Sequence, residues 1–406
     1  MKTENLSGKA ACSTLLLLTS LLPMWAAAGA SGGDLAVYQG RAGFVVTAFS
    51  YVLGPDAEET GACPNGMTKN LAEIYALKPD GRQQPGEVDA DYNQRVHEAT
   101  GAMATLPNGD NVCLHPESAP PDPYFRTLSH SNMPVEGLDL DGVGADSGDY
   151  PADDFTSPDG VRGIDNQFYR LMGCSRSFQS NGQSNGFDTE MLTGSWGILV
   201  TLAGIDDLQN DDQVEVGIYA NADPIQLSAA REPLGYATYA MDQDSRFRAS
   251  TSGRIRDGVL YTDPVDVRFH YVVNSMRLER PLRHARLQVN LTGKGGLEGF
   301  LAGYSPLDAI YDLQYGYRSG RMGNGEQAPL KLRLGTANGA AFVLGHTCNG
   351  GWQALHKLAD GDCDETGKCT SISTQYRLQA IPAFVVDAET ASSNAELEKS
   401  ERPDVY

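Results

Sequence analysis

The stretch ARLQVNLT, residues 285–292, alternates without a break: Ala285, Leu287, Val289 and Leu291 are apolar, while Arg286, Gln288, Asn290 and Thr292 are polar. Successive side chains of a strand point to opposite faces, so this segment turns one face to a core and the other to water. The pattern recurs. VDVRFHY sets Val265, Val267, Phe269 and Tyr271 against Asp266, Arg268 and His270, and QVEVGIYA puts Val214, Val216 and Ile218 on one side. LKLRL around Leu332 and TQYRLQA around Tyr376 repeat it. GFVVTAFSYVL from Gly43 and SWGILVTLAGI from Ser195 are apolar almost throughout and read as buried central strands. Together these segments predict a mainly β protein: an antiparallel β-sandwich or jelly-roll-like body with long polar loops and two or three short helices.

The helix signals are short. Ser305 reads as an N-cap with Pro306 at the first helical position, Gly350 to Gly361 reads as a second helix, and NQFYRLMGC as one or two turns. Residues 78–165 are polar and poor in strand signals, which makes them a long connection that needs a staple or a function.

Export follows from the N-terminus and the cysteines. Lys2 and Lys9, the apolar run Leu15 to Leu22 and the small residues Ala26, Ala28 and Ala30 have the three-part layout of a signal peptide over residues 1–30. No later stretch is apolar enough to be a membrane-spanning segment of the mature chain, and the expected location is periplasmic or extracellular. Beyond residue 30 stand Cys63, Cys113, Cys174, Cys348, Cys363 and Cys369, an even set that reads as disulfides. Three precede residue 175 and three follow residue 347, so full pairing needs at least one bridge between the two groups. That favours a single interlocked body over residues 31–386, rather than separate halves at 31–235 and 236–386. Residues 387–406 are acidic and patternless and read as a disordered tail. The formal charge of −21 argues against a nucleic-acid partner, itself a polyanion.

The strongest site signal runs from Asp139 to Cys174. Eight aspartates fall between Asp139 and Asp165 against one arginine, Arg162, and such crowding is repulsive unless water or a cation screens it. Asp139, Asp141, Asp154, Asp159, Asp165 and Asn166 offer the hard oxygens calcium takes, with Gly142 and Gly160 to let the chain turn. The spacing is not that of an EF-hand, since Gly137 and Gly148 fall where the first and last ligands belong. Asp165 and Asn166 could equally cap a helix. Asp360, Asp362 and Asp364 form a second alternation, read as a charged turn, and Arg277, Arg280, Arg283 and Arg286 form an arginine-rich hairpin that pairs with the protein's own acid. Trp196, Trp352 and the tyrosines of IYDLQYGY are candidates for stacking on a sugar, with core packing as the commoner role.

SPDGVRGIDNQFYRLMGC, residues 157–174, with the apolar strand and acidic turn that follow, resembles a segment of uncharacterised secreted bacterial proteins. They share D-G-x-x-G-x-D-N-x-x-x-R-x-x-G-C. The resemblance implies export and carries no catalytic residue across. No nucleophile-elbow, zinc-protease or phosphate-loop pattern is present. The expectation is an exported, calcium-stabilised protein that binds a ligand such as a glycan. The alternatives are a secreted polysaccharide hydrolase or lyase, and a structural or assembly protein of the cell envelope.

Overall fold

The computed structural model describes residues 35–388 apart from 36, 130–132, 143–154, 183–186, 194–195, 274–275, 292–294, 319–321, 325, 327 and 333–343. The segment 1–30, and all but two residues of the segment 387–406, lie outside the described residues. In chain order the strands are β1 (Arg41–Tyr51), β2 (Phe155–Thr156), β3 (Arg162–Ile164), β4 (Ile198–Ala203), β5 (Asp211–Ala220), β6 (Ala237–Ala240), β7 (Arg248–Arg256), β8 (Val259–Thr262), β9 (Val265–Val273), β10 (Met276–Leu291), β11 (Leu297–Pro306), β12 (Gly316–Tyr317), β13 (Lys331–Leu332) and β14 (Ser371–Val386).

The sandwich or jelly-roll expected from the alternation is wrong. Strands β1, β4, β5, β7, β8, β10, β11 and β14 lie side by side in that order, all antiparallel, and β14 pairs back onto β1 from Phe44↔Pro382 to Tyr51↔Tyr376. The result is a closed eight-stranded barrel. One-sided alternation is common to both architectures; what separates them is whether the first strand finds partners on both edges. Here β1 does, and the ring takes strands from both sides of residue 235.

The inward positions are filled by apolar side chains, as an eight-stranded ring allows. Phe44 and Val46 on β1, Val216 and Ile218 on β5, Leu287 and Val289 on β10, Leu301 on β11 and Leu378 on β14 are all buried in one cluster. Each contributes about 1.5–3 kcal/mol by leaving water. The outward positions carry Arg286, Gln288, Asn290, Glu298, Arg377 and Gln379. Apolar in and polar out is the inverse of the pattern of a lipid-embedded barrel. Close packing of β10 on β11 requires Gly299, where a Cβ would lie 2.2 Å from the Gln288 carbonyl oxygen.

At one end, β10 extends past the ring and pairs with β9, whose Val267, Phe269 and Tyr271 are buried against the core. That ribbon covers the barrel end. β6 adds in parallel to the far end of β14. The expected strand LKLRL supplies only Lys331–Leu332, as β13 paired with β12, among the described residues.

The helices correct several expectations. Ser305 is not an N-cap: β11 runs on through Ser305 and Pro306, and the helix spans Leu307–Tyr315. The second helix begins earlier than glycine spacing suggested, at Cys348, because the Thr347 hydroxyl accepts from the Gly350 N–H. The polar connection holds the longest helix among the described residues, Asp89–Met103, which buries only Thr100 and so shows almost no apolar face in sequence. A side chain holds it instead: Arg95 Nε donates to Glu87 Oε1 at 2.9 Å and its Nη1 to the Tyr75 hydroxyl at 2.8 Å.

Three cysteine pairs stand at disulfide distance: Cys63–Cys174, Cys113–Cys348 and Cys363–Cys369, with Cα separations of 5.9, 5.0 and 3.8 Å. Cys113–Cys348 joins the early and late groups and ties the helix Cys348–Leu358 to the segment beyond Asp89–Met103. Three disulfides are compatible with export. No helix among the described residues is long and apolar enough to cross a membrane.

Candidate functional site

The site is built on the outer wall of the barrel, where residues 136–141 lie along β11 and β14. One glutamine fixes them there. Gln375, buried on β14, accepts the Leu138 N–H on Oε1 at 2.8 Å, and its Nε2 donates to the carbonyls of Leu138 at 2.7 Å and Asp165 at 2.6 Å. The amide thus serves as a strand partner for a segment that is not a strand. Gly137 makes the approach practicable: its φ is 144°, and a Cβ there would stand 2.6 Å from Gln375 Oε1. Leu138 and Leu140 then pack on Ala302, flanked by Phe300 and Tyr304.

This clamp brings two distant parts of the acidic stretch together. Asp165 Oδ2 accepts the Leu140 N–H at 2.5 Å and the Asp141 N–H at 3.3 Å, while Asp139 Oδ1 accepts from Gly142 N at 2.6 Å. Asp139, Asp141 and Asp165 each bring a carboxylate oxygen within 4.8 Å of the others. Asp165 is buried, Asp139 half-buried and Asp141 exposed. Three carboxylates with neighbouring backbone oxygens are a hard-oxygen donor set, which suits calcium or magnesium rather than zinc or copper.

The other expected ligands fall elsewhere. Asn166 caps the helix Gln167–Met172, accepting the Tyr169 N–H at 3.1 Å while its amide donates to the Val52 carbonyl at 2.9 Å. Both ends of its side chain are thus engaged within the fold. Asp159 turns to the Ser157 hydroxyl and is not in the triad. Asp154 lies outside the described residues.

A fourth carboxylate comes from the stretch read as a charged turn. Asp360 accepts the Ser373 N–H at 2.7 Å, and burial, with the charge of Asp141 adding, pushes its pKa up to about 6. The Tyr304 hydroxyl is raised by burial and then by the charges of Asp165, Asp360 and Asp141, which places all of them on one neighbourhood of the wall. Asp362 and Asp364 do behave as a charged turn. Asp362 pairs with Arg283 at 2.9 Å, and Asp364 accepts the Thr366 and Lys368 N–H groups at 2.8 and 3.0 Å. Arg286 also serves the protein's own acidic segment, donating to the Asp139 carbonyl at 3.1 Å. The hairpin reading fails at Arg280, which turns into the barrel.

Beside the triad opens a cleft of about 740 Å³ between the two loop segments, 136–139 and 157–161, and the wall of β7, β8 and β10. Arg254, Tyr261, Asp263, Arg286 and Phe300 line it, and Asp139 belongs to both cleft and triad. Neither tryptophan offered for sugar stacking is there: Trp196 is core, and Trp352 packs against His356, the rings tilted and their centres 4.1 Å apart. Compared with protein-family models, curated proteins and solved structures, the chain matches none of them.

Proposed function

We propose that the chain is an exported barrel protein that holds a calcium ion at Asp139, Asp141 and Asp165 and uses the adjoining cleft to bind a ligand, with a glycan as the favoured class. The observation carrying this reading is the convergence of the three carboxylates within 4.8 Å on the rim of a 740 Å³ cleft. Calcium neutralises charges that otherwise repel and fixes the 136–141 segment against β14. That segment is one wall of the cleft, so the metal shapes the binding surface without touching the ligand. Tyr261 and Phe300 supply ring faces, and Arg254, Asp263 and Arg286 supply hydrogen-bonding groups, the mixture a polyhydroxylated ligand needs.

Thermal melts in calcium and in EDTA test the metal. At a hundredfold excess over the dissociation constant, binding adds about 2.7 kcal/mol, so the midpoint rises by several degrees, and D165N removes the rise. An unchanged midpoint sinks the reading. Affinity electrophoresis through neutral and acidic polysaccharides tests the cleft, with F300A and R286A expected to lose any retardation.

One observation favours a hydrolase as the second reading. Burial, with the charge of Asp141 adding, raises the Asp360 pKa to about 6, and a carboxyl group raised in this way is what the acid of glycoside cleavage needs. Release of reducing ends from the same polysaccharides, lost in D360N, separates that reading from binding alone.

A further inference from the structure

The covered end of the barrel holds a charge with no counter-charge among the described residues. Arg280, 2% exposed, extends from β10 into a cage of rings. Its Cζ lies 4.4 Å from the ring centre of Phe187, 4.7 Å from Tyr271, and 5.4 Å from both Tyr51 and Tyr376. Nη1 donates to the Tyr51 and Tyr376 hydroxyls, both at 2.9 Å. Nε has no hydrogen-bond partner, and no carboxylate pairs with the guanidinium among the described residues. An arginine cannot shed its proton to escape such a place, as a lysine or histidine can.

A second donor lies on the same rings. Trp196, 3% exposed, sits with its ring centre 5.8 Å from Tyr271 and 6.4 Å from Phe187, and its Nε1–H also has no partner among the described residues. Two buried N–H groups, Arg280 Nε and Trp196 Nε1, therefore share an aromatic enclosure whose tyrosine hydroxyls serve only Arg280 Nη1. Ring faces attract the cation but leave both N–H groups unmet.

We propose that this barrel end binds a small organic carboxylate, whose oxygens accept from Arg280 Nε and Trp196 Nε1 and whose apolar body lies among the rings. The apolar surround selects the charge type, because a monoanion is cheaper to strip of water than a phosphate dianion. This site is separate from the acidic cleft on the outer wall, and neither needs the other.

Isothermal titration of the mature chain with acetate, benzoate and decanoate, against benzyl alcohol and inorganic phosphate, tests it. At least one carboxylate binds saturably, while benzyl alcohol and phosphate do not. W196F, which keeps a ring and removes the N–H, weakens that affinity about tenfold, and R280Q abolishes it. Should R280Q fail to fold, W196F decides alone. No saturable carboxylate binding to the wild-type protein, or an unchanged affinity in W196F, overturns the proposal.

Discussion

The inner and outer faces of one barrel wall treat charge in opposite ways. Inside, Arg280 is a cation among aromatic rings with two tyrosine hydroxyls as its acceptors. Outside, on loop segments laid along β11 and β14, carboxylates are crowded and accept backbone N–H groups. Inside, therefore, removing a side chain exposes a packing defect; outside, removing one relieves or shifts a charge. The two faces meet on β11, where Leu301 points in and its neighbour Phe300 points out.

The largest effect belongs to the inner face. L301A leaves a hole in the barrel core and lowers unfolding free energy by about 2–5 kcal/mol in urea titrations; a loss under 1 kcal/mol would mean the interior is not packed as described. Burial of titratable groups comes next, and two of them answer burial by changing protonation where Arg280 cannot.

His346, fully buried between the rings of Phe125 and Tyr315, has its pKa lowered to about 4 by burial. The unfolded chain takes up that proton near 6.5 and the folded one does not. The stability this group confers is thus present above pH 6.5 and lost as pH falls toward 4, about 3 kcal/mol in all. H346F flattens that limb of the stability profile; an equally steep decline in the variant would assign acid sensitivity elsewhere.

Asp360 gives the opposite slope. Its folded pKa near 6 lies above the unfolded value, so its contribution is present at pH 3.5 and lost as pH rises through 6. In EDTA, D360N is expected to stabilise by about 1–3 kcal/mol at pH 7.5 and to change nothing at pH 3.5. Equal effects at both values would sink the assignment. The smallest change is expected outside: F300A, half-exposed over the cleft, costs about 1 kcal/mol or less. That contrast with L301A is the sharpest test of which way β11 faces.

The strands themselves were legible because alternation is a local property, and ARLQVNLT reads the same way in sequence and in β10. Ring closure was not, because it depends on β1 meeting β14, more than 300 residues later, and on a register that no local pattern encodes. Half of the expected calcium ligands converge, Asp139, Asp141 and Asp165, since crowded carboxylates on turning chain are visible by composition. Gln375 was invisible, and Asp360 stood out only as part of a charged turn, for a different reason. Each is an ordinary polar residue until a segment some two hundred residues away is laid against it. Arg280 did leave a trace: it falls in phase with Leu278 and Leu282, an arginine on the apolar side of its strand.

Closure by β14 also sets a timetable. Strand β1 is made first among the barrel strands and its second partner last, so the ring cannot shut until residues 371–386 have emerged. A chain stopped before Ser371 would leave two naked edges, on β1 and on β11, each a template for another unfinished copy. Most of the polypeptide must therefore be kept from its own kind until its final strand arrives, and the last sixteen residues of the barrel act as the fold's clasp.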